Sequence, residues 1–181
     1  VRALDEELLR FRALGAIAEL GDERALPAVQ RLFQRWLLPA FERTQAAGVL
    51  AKLGDPKGAE WLIARTRPRW WGQDRPLAVE LCGEVKAPGA LETLRAIVTN
   101  PKDACRGAAA RGLGRLGEPQ ALPWLLALLE EPGAPEDDRL DAAEGLWLLG
   151  VPEGRARVRE ALPSFSAEAR AELSELIQEM P

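Results

Sequence analysis

Leu116-Gly117-Glu118-Pro119 is one of four copies of a single phrase. Leu20-Gly21-Asp22-Glu23, Leu53-Gly54-Asp55-Pro56 and Leu149-Gly150-Val151-Pro152 repeat it, and Val85-Lys86-Ala87-Pro88 fills the vacant place as a degenerate copy. Equivalent positions (21, 54, 86, 117 and 150) fall 31 to 33 residues apart. A fixed period of this length belongs to stacked supersecondary units, not to a domain wrapped around one central core.

Working outward from the phrase, the columns on either side have helical spacing. Four residues before the Gly position stand Ile17, Leu50, Cys82, Leu113 and Leu146; one residue before it stand Leu20, Leu53, Val85, Leu116 and Leu149. Seven and eight residues before it small side chains dominate, as in Ala46-Ala47, Ala109-Ala110 and Ala142-Ala143. These offsets put one apolar face on a first helix and let a second helix approach closely. Gly ends the first helix, and Pro follows soon after in three copies. The second helix carries Val29, Leu62, Leu94, Leu125 and Val158, then Leu32, Arg65, Ile97, Leu128 and Ala161. The expected fold is all-α: an α-solenoid of about five stacked helix pairs plus a C-terminal capping helix. One array should fill residues 1–181, with pairs at about 3–36, 40–68, 74–100, 103–131 and 137–162. The capping helix should run over 166–179, with Ser166 as its N-cap. Lys86 and Ala87 replace Gly and Asp in the third copy and predict a distorted turn there.

Eleven residues before each Gly position is an arginine: Arg10, Arg43, Arg75, Arg106 and Arg139. Acidic residues lie close by in Glu7, Glu42, Asp74, Asp103 and Asp138. This column reads as a structural ladder in which guanidinium–carboxylate pairs tie neighbouring helix starts together. The sharper alternative is a ligand-binding arginine ladder.

The 181 residues carry a formal charge of −4 with a pI near 5.1, which argues against a protein that grips nucleic acid through global basicity. The charge is uneven, +3 over residues 1–75 and −7 over 76–181. No run approaches the length and apolarity of a membrane span. Two cysteines, Cys82 and Cys105, with no paired spacing suit a reducing, cytoplasmic setting. Twenty Arg against four Lys, with abundant Ala, Gly and Pro, suggest a bacterial source of high GC content. The first residue is Val1 and the one Met is Met180, as expected of a fragment or processed form.

The inventory is poor for catalysis. There is no His and no Tyr, and Ser occurs only at Ser164, Ser166 and Ser174. A Ser–His or Cys–His nucleophile pair cannot be built, nor can a metal site resting on imidazole. No catalytic residue, metal or cofactor is expected. Binding residues are easier to find. In the second helices Trp61, Ile63, Arg95, Trp124 and Leu126 lie off the main apolar stripe, where they either anchor a partner or fill grooves between repeats. The connection Arg65-Thr66-Arg67-Pro68-Arg69-Trp70-Trp71 adds Arg67, Arg69, Trp70 and Trp71, side chains that combine positive charge with stacking surface.

The stretch from Arg106 to Leu125 resembles a HEAT repeat of the short bacterial kind called PBS-lyase HEAT-like, and the likeness covers about residues 3–162. Its Arg, Ala pair, Leu-Gly and acidic-Pro turn carry the resemblance. The likeness implies stacked helix pairs whose second helices line a concave binding face. It is specific for fold and unspecific for function. Taken with the residues above, it points to a non-catalytic scaffold that binds another protein through that face and the Arg/Trp connection. Two alternatives follow from the same likeness: a nucleic-acid-binding protein similar to HEAT-like DNA glycosylases, and a subunit related to bilin lyases. The iron-binding His-Glu pairs of the related deoxyhypusine hydroxylases have no counterpart here.

Overall fold

The computed structural model describes residues 7–68 and 72–179. Among them are eleven α-helices, three short 3-10 turns and no strand. The helices gather into two compact units that divide between Gly89 and Ala90, inside the third repeat. The first unit holds α1 (Glu7–Leu20), α2 (Leu26–Phe33), α3 (Ala40–Lys52), α4 (Pro56–Arg65) and α5 (Arg75–Glu84). The second holds α6 (Ala90–Val98), α7 (Arg106–Leu116), α8 (Leu122–Leu129), α9 (Glu136–Leu149), α10 (Pro152–Ala161) and α11 (Ala167–Glu179). In the first, α3 is the hub and packs on α1, α2, α4 and α5; in the second, α9 packs on α7, α8, α10 and α11.

The hydrophobic columns become the two cores. Val29, Ala46, Ala47, Leu50, Leu62, Val79 and Cys82 are buried in the first unit, and Leu94, Ala109, Leu113, Leu125, Leu146 and Val158 in the second. Burial pushes the Cys82 thiol up to about 12, so it serves as a small apolar side chain. Leu20 departs from its column. It is 79% exposed while Leu53, Leu116 and Leu149 are buried. The reason is packing: α1 rests chiefly on α3, whereas the later first helices are covered on more than one side. Among the described residues, the large hydrophobic side chains that stand exposed (Leu9, Phe11, Leu20, Trp36, Leu37 and Phe41) lie on α1, in the connection from α2 to α3 and at the start of α3.

Each Gly-position residue is left-handed, with φ of +60° at Gly21, +84° at Gly54, +77° at Gly117 and +74° at Gly150. Lys86 takes the same conformation at φ +51° and is the one non-glycine among the described residues to do so. The expected distortion of the third turn does not occur. In the second turn Asp55 N donates to Leu50 O at 2.9 Å and Gly54 N to Ala51 O at 3.0 Å; in the third, Ala87 N donates to Cys82 O at 2.9 Å and Lys86 N to Gly83 O at 3.0 Å. The same pair of bonds closes both helix ends, and satisfying those carbonyls outweighs the roughly 1–2 kcal/mol that a left-handed L-residue costs.

The arginine column has a partner that the sequence did not reveal. Arg43 Nη1 donates to Phe33 O at 3.2 Å, Arg75 Nε to Thr66 O at 2.6 Å, Arg106 Nε to Val98 O at 3.1 Å and Arg139 Nε to Leu129 O at 3.0 Å. The acceptors at 33, 66, 98 and 129 follow the repeat period. Each is a carbonyl at the end of the preceding second helix, where backbone acceptors lack intrahelical donors and the helix dipole is negative. The guanidinium at the start of one repeat therefore caps the end of the one before. Carboxylates join rungs of the ladder as well, among them Glu42 at Arg10 and Glu131 at Arg106.

The tightest helix pair is α7 with α9. A Cβ on Gly114 would strike the backbone of Gly145, one on Gly145 would strike the Ala110 carbonyl, and one on Gly107 would strike the Asp141 carboxylate. Arg111 pairs with Asp141 and Arg115 with Glu144 along the same seam. Burial raises both carboxyls above their ordinary values, with the arginines opposing it.

Two outcomes follow in equilibrium denaturation. Lys86→Gly should raise stability by about 1 kcal/mol, because Gly occupies the left-handed region without steric cost. Arg75→Met should lower it by about 2 kcal/mol, through loss of a charged donor that leaves a buried carbonyl uncapped.

Candidate functional site

A cavity of about 540 Å³ opens along α4 in the first unit. Its floor is one face of that helix: Pro56, Ala59, Glu60, Ile63 and Ala64, followed by Arg67 just past the helix end. Spacings of three and four residues make these a single stripe. The opposite stripe, Gly58 and Leu62, is buried against the core. Ala51, Gly54 and Asp55 form one wall, and Val85 and Pro88 of the third turn form the other. Most of the lining is apolar, with ionisable groups at Asp55, Glu60 and Arg67.

Comparison of adjacent repeats explains why a groove stands open here. One repeat earlier, Gln30 Nε2 donates to Asp55 Oδ2 at 2.8 Å and ties a second helix to the following turn. Asp55 also accepts from Lys57 N at 3.0 Å as the N-cap of α4. The Gln30 hydrogen bond, together with that of Lys57 N and against the effect of burial, holds the Asp55 carboxyl below its ordinary value. At the next junction Ile63 stands where Gln30 stood and Ala87 stands where Asp55 stood. Neither side chain can form the tie.

The end of α4 is fixed from below. Asp74, 1% exposed, accepts from Arg65 Nε at 2.6 Å, Arg65 Nη2 at 2.7 Å and Thr44 Oγ1 at 2.7 Å. Burial works to raise the Asp74 carboxyl, but the Arg65 and Thr44 bonds outweigh it and leave the group below its ordinary value. Arg75 meanwhile holds the Thr66 carbonyl. Arg67 thus leaves an anchored helix end and stands exposed at one end of the groove.

The structure divides the residues singled out in the sequence. Ile63 and Arg67 meet on the groove. Trp61, two residues from Ile63 and on another flank of α4, stands edge-on to Phe33 at 5.4 Å and between the guanidinia of Arg43 (5.9 Å) and Arg65 (5.8 Å). It fills the space between α2 and α4. In the second unit Arg95 lies over Trp124 at 5.6 Å and pairs with Glu92 at 3.0 Å, while Leu126 is half-buried on α8. Arg69, Trp70 and Trp71 lie outside the described residues. Sequence reasoning missed Ala51, Ala59, Glu60, Val85 and Pro88. The available signal was the paired loss of Gln30 and Asp55 character at Ile63 and Ala87.

Two family models match the chain, one described as HEAT repeats over residues 72–147 and one described as PBS lyase HEAT-like repeat over residues 9–35. HEAT repeats generally mediate protein–protein interaction. No curated protein matches the chain. Among the described residues no helix is long and apolar enough to cross a membrane.

Asp74→Asn should cost about 3 kcal/mol at neutral pH, since it strands the part-buried Arg65. The gap from the parent protein should narrow as the pH drops below the ordinary carboxyl value of 3.8. A carboxylate with a lowered folded-state pKa gives its stabilisation above that value and loses it on protonation. Denaturant titrations of both proteins across that range measure the difference.

Proposed function

We propose that this protein is a non-catalytic scaffold that binds another protein, and that the groove along α4 is a principal contact site. One observation carries the reading: an uncovered apolar stripe on a second helix, at a junction where the polar tie of the preceding repeat has been replaced by Ile63 and Ala87. Ile63 supplies the central apolar anchor, and Arg67 supplies a charged rim that sets orientation. Trp61 stiffens the floor through its contacts with Phe33, Arg43 and Arg65. The buried thiols of Cys82 and Cys105 support a reducing, cytoplasmic setting.

The test is a groove-blocking variant. Ala64 is exposed on the lining, so Ala64→Arg should fill the groove and change stability by only about 0.5 kcal/mol. Affinity capture from the source cell with the parent protein should recover a partner that the Ala64→Arg protein fails to recover at equal loading. Equal recovery by both proteins would remove the groove from the contact surface.

A further inference from the structure

We infer that the α4 groove is shaped for a short extended segment of the partner in which an apolar side chain is flanked by charges of opposite sign, the cation set against Glu60 and the carboxylate against Arg67. The inference rests on the groove being the contact site. Three groups on the lining are ionisable. Asp55 is already engaged by Gln30 and by the backbone N–H of Lys57. Glu60 and Arg67 remain exposed at the rim. They lie seven residues apart, Glu60 on α4 and Arg67 two residues past its last residue Arg65, so the two charges stand on the order of 10 Å apart. Ala59, Ile63 and Ala64 fill the interval with apolar surface, faced by Val85 and Pro88.

The occupant is set by these dimensions. An extended chain advances about 3.3 Å per residue and alternates its side chains between two faces, so a cation, an apolar side chain and a carboxylate at every second position all face the groove and spread over about 13 Å, a span the long Glu60 and Arg67 side chains can meet. Exposed ion pairs of this kind add little affinity, but a segment carrying the same sign at both ends meets one attraction and one repulsion.

Three fluorescein-labelled heptapeptides with a central Leu test the inference, bearing Lys and Asp, two Lys, or two Asp at the positions two residues before and two residues after it. Anisotropy titrations use the full chain at low ionic strength, where charge contributions are largest. The Lys/Asp peptide should bind about fivefold more tightly than either like-charged one. Glu60→Arg should shift the preference to the two-Asp peptide and Arg67→Glu to the two-Lys peptide. Equal binding of the three by the parent protein, preferences indifferent to both charge variants, or no binding by any peptide would each overturn the inference. Ala64→Arg separates the underlying reading: peptide binding that survives this variant takes place elsewhere and sinks the groove itself, whereas binding lost in Ala64→Arg but blind to charge sinks only the charge pattern.

Discussion

The guanidinium-to-carbonyl cap is the contact on which the repeat depends. A second helix of eight to ten residues ends with carbonyls that have no donors of their own, and burial makes that shortage expensive. Arg43, Arg75, Arg106 and Arg139 meet it from the first turn of the following repeat. A lysine ammonium would supply charge but not the planar fork, whose Nε–H reaches one acceptor while the terminal nitrogens reach others. Arg106 uses that fork to hold Val98 O and the Glu131 carboxylate together, and Arg139 to hold Leu129 O and the Ser164 hydroxyl. The small residues of the first helices serve the same end, since the arginine can reach back only if the helices approach closely.

The third turn shows what happens when one element of this pattern is relaxed. Lys86 keeps the left-handed geometry without the residue that favours it. Ala87 gives up the acidic N-cap, and Ile63 gives up the amide that would have bonded to it. The backbone holds its course because its own hydrogen bonds are unchanged. What alters is the surface: a polar bridge becomes an apolar opening with charge at its rim. The apolar opening on α4 is thus a local subtraction from the repeat pattern.

How far the sequence could be read depended on where each partner sat. The helix pairs, the left-handed stops and the buried columns were legible because both sides of each contact are side chains or turns that recur with the period. The arginine column was equally visible, but its acceptors are main-chain carbonyls that carry no residue signature, so neighbouring acids drew attention instead. Trp61 and Ile63 looked like neighbours on one surface, yet a two-residue step carries the side chain about 200° around a helix and sends them to different flanks. The groove required two substitutions, 24 residues apart in the chain, to be read as a single lost bond. Leu20 failed for a different reason, since a column records what a repeat usually buries and not whether a neighbour is there to bury it.

The glycine seam between α7 and α9 bears on how such a chain can change length over evolution. Repeats joined through ordinary side-chain packing can be duplicated or excised as modules, because one leucine-lined face accepts another. Gly114 and Gly145 make a contact in which backbone meets backbone, and Gly107 leaves room for the Asp141 carboxylate. A repeat inserted between these two helices would have to carry matching glycines on both of its faces. Insertion between the fourth and fifth repeats is therefore sterically more demanding than insertion between helices that meet through side chains.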